Sequence, residues 1–422
     1  MNTFFTSKDN LWPALFGFLF FAGMMATGYY YNLTFIQFGL LDLGTRLVGM
    51  SEAEVARNMA YLALITSLVA ILVGLWMMKR GWSRDLHAKL RLAFGVVLVQ
   101  TLLTGIAPLV RTEAGFLAWV VIASLALGVG VPATFSMTVD LVPVRYRGYA
   151  GALITAAAYF PAAVLSALWT IEIFSAGILW LMVAGTAGLG VLAFGKLSLV
   201  DRLAEQHTWP EFGHGRFVQV DSSGRARIRR SLLVLIILMF GIYFIDSLGF
   251  LRLADTPFFF EAAWQSPDLQ PRLAIGWTHV IAALVAGVLY SALHEKELFL
   301  WIFGIFALVH LMYTLTARQA FVGEPPLAMP ILYAVAVSLY TVVNFALWAD
   351  VSTPHTISRN TAVGVALSGW TATFLSTALA LQLQPLGVSL EAHLRIVDAL
   401  AMLFFLLVLL LIFFARPASK AF

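Results

Sequence analysis

One apolar stretch of the chain carries two charged side chains that could bind a proton or an anion. The stretch covers residues 231–254 and contains Asp246 and Arg252. An ionisable residue inside a membrane segment is costly, so by default it marks a transport pathway or a proton site. Asp246 lies about ten residues from the end of the stretch, or about 15 Å at the helical rise of 1.5 Å. A carboxyl group at this depth predicts proton coupling during a transport cycle.

Each of these two residues also has a simpler interpretation. Arg252 has a guanidinium group that suits a carboxylate or phosphate on a substrate. It could instead pair with Asp255 three residues later, or extend towards the membrane surface. For Asp246 the alternative is a structural hydrogen bond to a neighbouring helix.

Other polar residues inside apolar stretches complete the predicted substrate site. Tyrosine offers a ring face and a hydroxyl group, whereas histidine can relay protons. Core packing and hydrogen bonds between helices are the alternatives for all of them. Three successive tyrosines cannot share one helix face at about 100° per residue, so only some can point inward. The remaining candidates are Tyr30, Tyr31, Asn32, Gln37, His279 and Asn344.

The composition requires these residues to be positioned by membrane helices. Hydrophobic residues make up 61% and charged residues 11% of the 422 residues, against about 45–50% and about 25% in soluble domains. Twelve stretches approach the length of about 20 residues that spans a bilayer as a helix. Their predicted spans are 11–40, 55–78, 88–110, 115–139, 149–170, 175–195, 231–254, 273–293, 297–317, 327–349, 361–383 and 393–415.

The distribution of basic residues predicts the orientation of the chain. Most Lys and Arg residues fall in the segments on the same side as the two termini. The positive-inside rule therefore places both termini in the cytoplasm. We expect a monomeric multi-pass protein of the bacterial inner membrane, in contact with lipid. The basic residues are dispersed among loops, so nucleic acid is not an expected partner.

A repeated motif indicates that the chain is duplicated. The motif Asp140, Pro143 and Arg147 recurs as Asp350, Pro354 and Arg359, with the two aspartates 210 residues apart. Internal repeats in membrane proteins build a central site around which two halves can rock. The predicted units are an N-terminal six-helix bundle (1–195), a cytoplasmic linker (196–230) and a C-terminal six-helix bundle (231–422).

The loop after the second stretch resembles that of the major facilitator superfamily. Gly74, Lys79, Gly81 and Arg84 match the family pattern, whereas Met78 replaces its acidic residue. The resemblance implies twelve helices in two pseudo-symmetric bundles, and a gate formed by charged groups at helix ends. Simple pairing that fixes the helix ends is the alternative role. The residues predicted for the gate are Gly74, Lys79, Gly81, Arg84, Asp140, Arg147, Asp350 and Arg359.

These observations predict an all-α membrane protein with the major facilitator fold that acts as a secondary transporter. The expected solute is small and polar or anionic, moved by alternating access with proton coupling. Export of amphipathic compounds is an alternative, and a transporter-like assembly factor or sensor is another. The sequence has no phosphate-binding loop, nucleophile elbow or zinc-protease motif. We therefore expect no enzymatic activity, no cofactor and no metal.

Overall fold

Twelve helices long and apolar enough to cross a membrane are found in the described part of the chain. The computed structural model describes residues 8–220, 226–228, 232–254, 256–260, 266–293, 295–318, 326–383 and 386–413. The six helices before the linker are α1 Leu11–Val48, α2 Glu52–Lys79, α3 Leu86–Leu109, α4 Glu113–Leu141, α5 Val144–Leu165 and α6 Ile171–Phe194. The six after it are α7 Leu232–Leu253, α8 Leu269–Ala292, α9 Glu297–Arg318, α10 Ala328–Asp350, α11 Ile357–Leu383 and α12 Leu390–Phe413. The predicted number and class of elements are confirmed.

Local sequence explains where α2 begins and ends. The Ser51 hydroxyl accepts from the backbone N–H of Glu54, and the Glu54 carboxylate accepts from the backbone N–H of Ser51. This reciprocal cap satisfies donors that the first helical turn leaves unpaired. After Lys79, Gly81 takes a φ of 78°, a left-handed conformation that glycine adopts without strain. The chain can therefore turn sharply into α3.

Two of the described membrane-spanning helices contain π-helical turns. In α1 the α-helical part ends at Tyr31 and π-helical turns follow over Asn32–Gly39. In α11 similar turns occupy Ala366–Trp370. Such turns are rare and are frequent at functional sites. They occur in both halves of the chain, although at different positions in the helix order.

Small residues allow the two halves to approach closely. Along α5 and α8, a Cβ atom at Gly148 would lie 2.8 Å from the carbonyl oxygen of Gly287. Along α2 and α11, a Cβ atom at Gly74 would lie 2.4 Å from Ala362 Cβ. Backbones that approach this closely are typical of helix interfaces in membranes.

The segment between α6 and α7 packs against helix ends from both halves. It contains a short helix Ser198–Glu205 and an antiparallel pair, β1 Val218–Val220 and β2 Ala226–Ile228, with Val218 opposite Ile228. Backbone N–H groups of Gly215 and Phe217 donate to the carbonyls of Ser352 and Asp350 at the end of α10. We call this side of the molecule the linker side.

Candidate functional site

The carboxylate of Asp246 on α7 is held by two phenols of α10. Tyr333 donates to Oδ1 at 2.6 Å and Tyr340 donates to Oδ2 at 2.7 Å. The Tyr333 hydroxyl also lies 3.0 Å from the backbone carbonyl of Asp246. Asp246 is partly buried, about 21 Å along the helix axis from Leu232 at 1.5 Å per residue. Both carboxylate oxygens are therefore hydrogen-bonded deep within the helix bundle.

Tyrosines from the N-terminal half reach the same region. The hydroxyls of Tyr29 on α1 and Tyr159 on α5 are 2.9 Å apart. Tyr159 is also 3.3 Å from the Thr341 hydroxyl on α10, the residue directly after Tyr340. Both halves thus contribute to one hydroxyl-rich region. We call Tyr29, Tyr159, Tyr243, Asp246, Tyr333 and Tyr340 the tyrosine–aspartate cluster.

Aromatic rings surround this cluster. The Tyr243 ring meets the Tyr340 ring edge-on at 5.0 Å, and the Tyr29 ring meets Phe345 edge-on at 5.1 Å. His279 on α8 stacks on Tyr159 with ring centroids 4.4 Å apart. Rings of this kind present flat apolar faces and polar tips to a small molecule.

The charge of the cluster comes from a single carboxyl group. Within the described residues, no Lys, Arg or His forms an ion pair with Asp246. Its hydrogen-bond partners are neutral phenols, so a proton can join or leave it without breaking an ion pair. The arrangement suits proton exchange or recognition of a positively polarised group.

The structure places only part of the predicted substrate site in the cluster. His279 is close to it, with Nδ1 2.9 Å from the Ser338 hydroxyl. Asn344 is buried, and its Oδ1 accepts from Trp348 on the same helix at 2.9 Å. The Arg252 guanidinium donates to the carbonyl of Val388 at 3.4 Å, in the loop before α12. Asp255, its predicted alternative partner, lies outside the described residues.

Two other candidates on α1, Tyr30 and Tyr31, pack against residues of the N-terminal half. Tyr31 stacks on Phe35 at 5.0 Å and accepts from the Thr104 hydroxyl. Tyr30 packs against Phe174 at 6.2 Å. Asn32 begins the π-helical turns, and the side chain of Gln37 lies outside the described residues. Of the three successive tyrosines, Tyr29 is the one that joins the cluster.

Tyr333 and Tyr340 were missed by the sequence interpretation, although a signal was present. They are seven residues apart in an apolar segment, which places both on one helix face. That spacing alone does not distinguish a ligand pair from core packing. Their proximity to Asp246, more than eighty residues earlier, depends on how α7 and α10 pack.

A second polar centre joins the halves on the linker side. Arg147 Nη1 and Asp350 Oδ1 are 2.8 Å apart, and neither side chain is exposed. The Tyr290 hydroxyl donates to the other oxygen of Asp350 at 2.8 Å. Arg147 also donates to the carbonyls of Ala349 and Phe212. This Arg147–Asp350 bridge connects α5, α8, α10 and the segment that follows α6.

The first copy of the repeated motif pairs differently. Asp140 bonds with Lys89 of α3 at 2.6 Å, and both side chains are buried. Arg359, the counterpart of Arg147, donates to the amide oxygen of its neighbour Asn360. The pairing of Asp140 is therefore internal to the N-terminal half, whereas that of Asp350 crosses between halves.

The end of α2 and the loop after it contact the C-terminal half through close packing and hydroxyl hydrogen bonds. Gly74 fits against Ser358, whose hydroxyl donates to the Gly74 carbonyl at 3.1 Å. Ser83 and Ser358 are also hydrogen-bonded across the halves. Lys79 and Arg84 are exposed, and Gly81 forms the left-handed turn.

Solved structures with similar folds include both a sugar symporter and an anion transporter. No protein-family model matches the sequence, and neither does any curated protein. The partially occluded inward-open xylose transporter XylE of E. coli is 14% identical with a TM-score of 0.65, covering 97% of this chain and 99% of that one. The proton:xylose symporter XylE bound to 6-bromo-6-deoxy-D-glucose gives 15% and 0.63, covering 95% and 96%. The human organic anion transporter MFSD10 gives 16% and 0.62, covering 92% and 97%.

Proposed function

The chain has the fold of major facilitator superfamily transporters, and from this premise we propose that it is a secondary active transporter. It moves a small solute by alternating access around the tyrosine–aspartate cluster. The observation that carries the proposal is the pair of phenol donors on Asp246 at 2.6 and 2.7 Å, at a point where both halves meet. Sites near the bilayer midplane between two repeats are typical of such carriers.

Proton coupling is assigned to Asp246. A carboxyl group held by hydroxyls alone can change its protonation state while its neighbours reorient their hydrogen atoms. The O–H donors of Tyr333 and Tyr340 support the ionised form, and the same oxygens can accept a proton from the neutral form. Asp246 can therefore bind and release one proton in each cycle.

The cluster favours a polar solute over an anion. Its carboxylate and phenols can bind hydroxyl or amino groups, and its ring faces can stack on a sugar ring or an organic cation. An anion would meet repulsion from ionised Asp246. The alternative of an anionic solute rests on Arg252. Because one structural neighbour is an organic anion transporter, anionic solutes are also tested.

We assign closure of the linker side to the residues at the helix ends. The Arg147–Asp350 bridge and the contact between Gly74 and Ser358 hold the halves together there. The remaining gate residues of this proposal are Lys79, Gly81, Arg84, Asp140 and Arg359. With the termini in the cytoplasm, this gate closes the cytoplasmic face of a monomer in the bacterial inner membrane.

Uptake into proteoliposomes with an imposed pH gradient tests the proposal. The panel contains neutral sugars, primary amines and carboxylates, so that it covers polar and anionic solutes. We expect concentrative uptake of a sugar or an amine, and loss of the response to the gradient in Asp246→Asn. Asp398→Asn, which changes another partly buried aspartate in α12 outside the cluster, is the matched control and should leave uptake intact.

Three outcomes would each contradict a part of the proposal. Concentrative uptake by Asp246→Asn with unchanged pH dependence would remove the proton assignment. Absence of flux for every solute, with folded protein in the vesicles, would contradict transport and favour an assembly or sensor role. Uptake of carboxylates alone would restore the anionic alternative.

A further inference from the structure

A cavity of about 550 Å³ opens on the linker side, apart from the tyrosine–aspartate cluster. Three segments of the chain line it: the loop between α2 and α3, the segment after α6, and the loop between α10 and α11. The first contributes Arg84, and the second contributes His207, Thr208, His214 and Val218. The third contributes Val351 and residues 353–356, and the first turn of α11 adds Arg359 and Asn360. The cavity therefore lies across the two halves and the segment that connects them.

The lining of this cavity is basic. The basic residues that line it are Arg84, His207, His214, His355 and Arg359, and none of the described residues that line it is acidic. Arg84 and His355 are exposed to solvent, so both can turn towards a bound molecule. The guanidinium of Arg359 bonds to the neutral amide oxygen of its neighbour and so keeps its positive charge uncompensated.

Nearby carboxylates are engaged elsewhere. Asp140 lies 3.4 Å from His207 but is paired with Lys89 at 2.6 Å. Asp350 is paired with Arg147, and Asp85 accepts from the backbone N–H of Ala88 at the start of α3. Within the described residues neither Arg84 nor Arg359 forms an ion pair with a carboxylate, so the positive charge of both is available to an anion.

Neutral donors and a helix end add to this charge. The hydroxyl-bearing residues Thr208, Thr353 and Thr356 line the cavity together with the amide of Asn360. α11 begins at Ile357, directly after Thr356. The start of a helix carries partial positive charge that favours anions.

We propose that this cavity binds a phosphate-bearing anion. Two arginines, three histidines and several hydroxyls match the charge and the acceptor oxygens of a phosphate group. The volume is within the range of about 300–1,000 Å³ typical of small-molecule sites, so it accepts a group larger than free phosphate. The headgroup of an acidic lipid and a soluble phosphorylated metabolite share this chemistry.

Occupancy of the cavity would stabilise the state in which the linker side is closed. This part of the proposal rests on the proposed alternating access. Arg84 belongs to the N-terminal half and Arg359 to the C-terminal half. An anion that contacts both joins the halves at a place where they must separate for the linker side to open. A ligand shifts such an equilibrium by its difference in affinity for the two states.

Binding is tested by calorimetric titration of the full-length protein in uncharged detergent with inorganic phosphate, at constant ionic strength. We expect saturable binding that weakens by about tenfold or more in Arg84→Gln/Arg359→Gln, since each arginine supplies a charge-assisted contact. Arg84→Gln alone, at an exposed position, is the variant least able to disturb folding. Arg80→Gln removes an exposed arginine from the same loop outside the cavity and should bind as the wild type does.

The source of the phosphate is distinguished in nanodiscs. If an acidic lipid occupies the cavity, free phosphate binds in phosphatidylcholine discs and is excluded from phosphatidylglycerol discs. If the ligand is soluble, phosphate binds equally in both. Absence of saturable binding in detergent and in both discs overturns the proposal. Equal losses of phosphate affinity in Arg80→Gln and Arg84→Gln would show that phosphate responds to general surface charge. That result would also overturn the proposal.

Closure is measured separately with spin labels on Arg80→Cys and Ala292→Cys, two exposed positions that mark the linker-side ends of α2 and α8. The chain has no native cysteine, so these two positions alone are labelled. Phosphate should shift the distance distribution to shorter values, and the double arginine variant should abolish the shift. Binding without this shift would overturn the stabilising role. None of these measurements uses transport, so their failure is distinct from failure of the proposed function.

Discussion

Asp350 and Asp246 are carboxylates in the same half of the molecule, but their partners differ in charge. Asp350 is fully buried and bonded to the Arg147 guanidinium at 2.8 Å. Asp246 is partly buried and bonded to the phenols of Tyr333 and Tyr340. The positive charge of Arg147 compensates the negative charge of Asp350, whereas neutral phenol donors stabilise the charge of Asp246. The first arrangement suits a fixed contact between halves and the second suits a group whose charge changes.

This difference has an energetic consequence. A buried ion pair loses stability when one partner is removed, because the other charge stays buried without compensation. A carboxylate held by hydroxyls loses only part of its support when one hydroxyl is removed. The two regions should therefore respond differently to matched substitutions.

The largest effect is expected for Arg147→Gln. Among the described residues, this change leaves the buried Asp350 with the Tyr290 hydroxyl as its remaining side-chain partner. We expect a loss of about 3–5 kcal/mol in unfolding free energy, measured by thermal unfolding in detergent. Adding Asp350→Asn should restore part of the loss, because the uncompensated charge is then gone.

Arg145→Gln is the control for that change. Arg145 is exposed on the preceding helical turn and should alter stability by no more than about 0.5 kcal/mol. Equal stability of Arg147→Gln and Arg145→Gln would contradict the distinction between the two regions.

Gly74→Ala should weaken linker-side closure by about 1–3 kcal/mol, as overpacking does. The added Cβ would lie 2.7 Å from the Ser358 carbonyl oxygen and 2.4 Å from Ala362 Cβ. The spin-label pair at positions 80 and 292 should then report longer distances. Gly95→Ala is the control, since a Cβ there meets no atom within 4 Å. Unchanged distances in Gly74→Ala would show that this contact does not limit closure.

Tyr340→Phe should weaken gradient-driven uptake by about tenfold, since a hydrogen bond to a charged group contributes about 1.5–3 kcal/mol. The ring remains, so the contact with Tyr243 is kept. Initial uptake rates over a series of pH gradients measure the effect. Tyr61→Phe, on an exposed face of α2, should transport normally. If the two variants behave alike, the phenol of Tyr340 has no part in coupling.

The smallest effect is expected for Arg252→Gln. Its hydrogen bond to the Val388 carbonyl is long at 3.4 Å and lies away from the cluster. We expect the half-saturating concentration of a neutral or amino solute to change by less than about threefold, or about 0.7 kcal/mol. A much larger change, confined to carboxylate solutes, would move the substrate site towards Arg252.

The repeated motif shows what can and what cannot be predicted by comparing the two halves of the sequence. The 210-residue offset between Asp140 and Asp350 predicted duplication and the presence of charged helix ends. It did not indicate that Asp140 pairs with Lys89 while Asp350 pairs with Arg147 of the other half. Equivalent positions in two repeats meet different neighbours, because one face of each bundle contacts the other bundle in a single orientation.

The sequence by itself determined the all-α membrane class of the protein, the number of its spanning helices and the position of Asp246 in an apolar segment. Each follows from composition within a window of about 20 residues, since the cost of exposing polar groups to lipid is local. Even the cap of α2 at Ser51 could be predicted, because its partner is three residues away.

Only the tertiary structure decided which groups surround the buried carboxylates. Tyr333 and Tyr340 reach Asp246 from 87 and 94 residues away, and Arg147 reaches Asp350 across 203 residues. Hydropathy does not specify which helix faces meet, because apolar surfaces pack equally well in lipid and in protein. Local sequence determines the helices, whereas the contacts between their polar groups depend on how the helices pack.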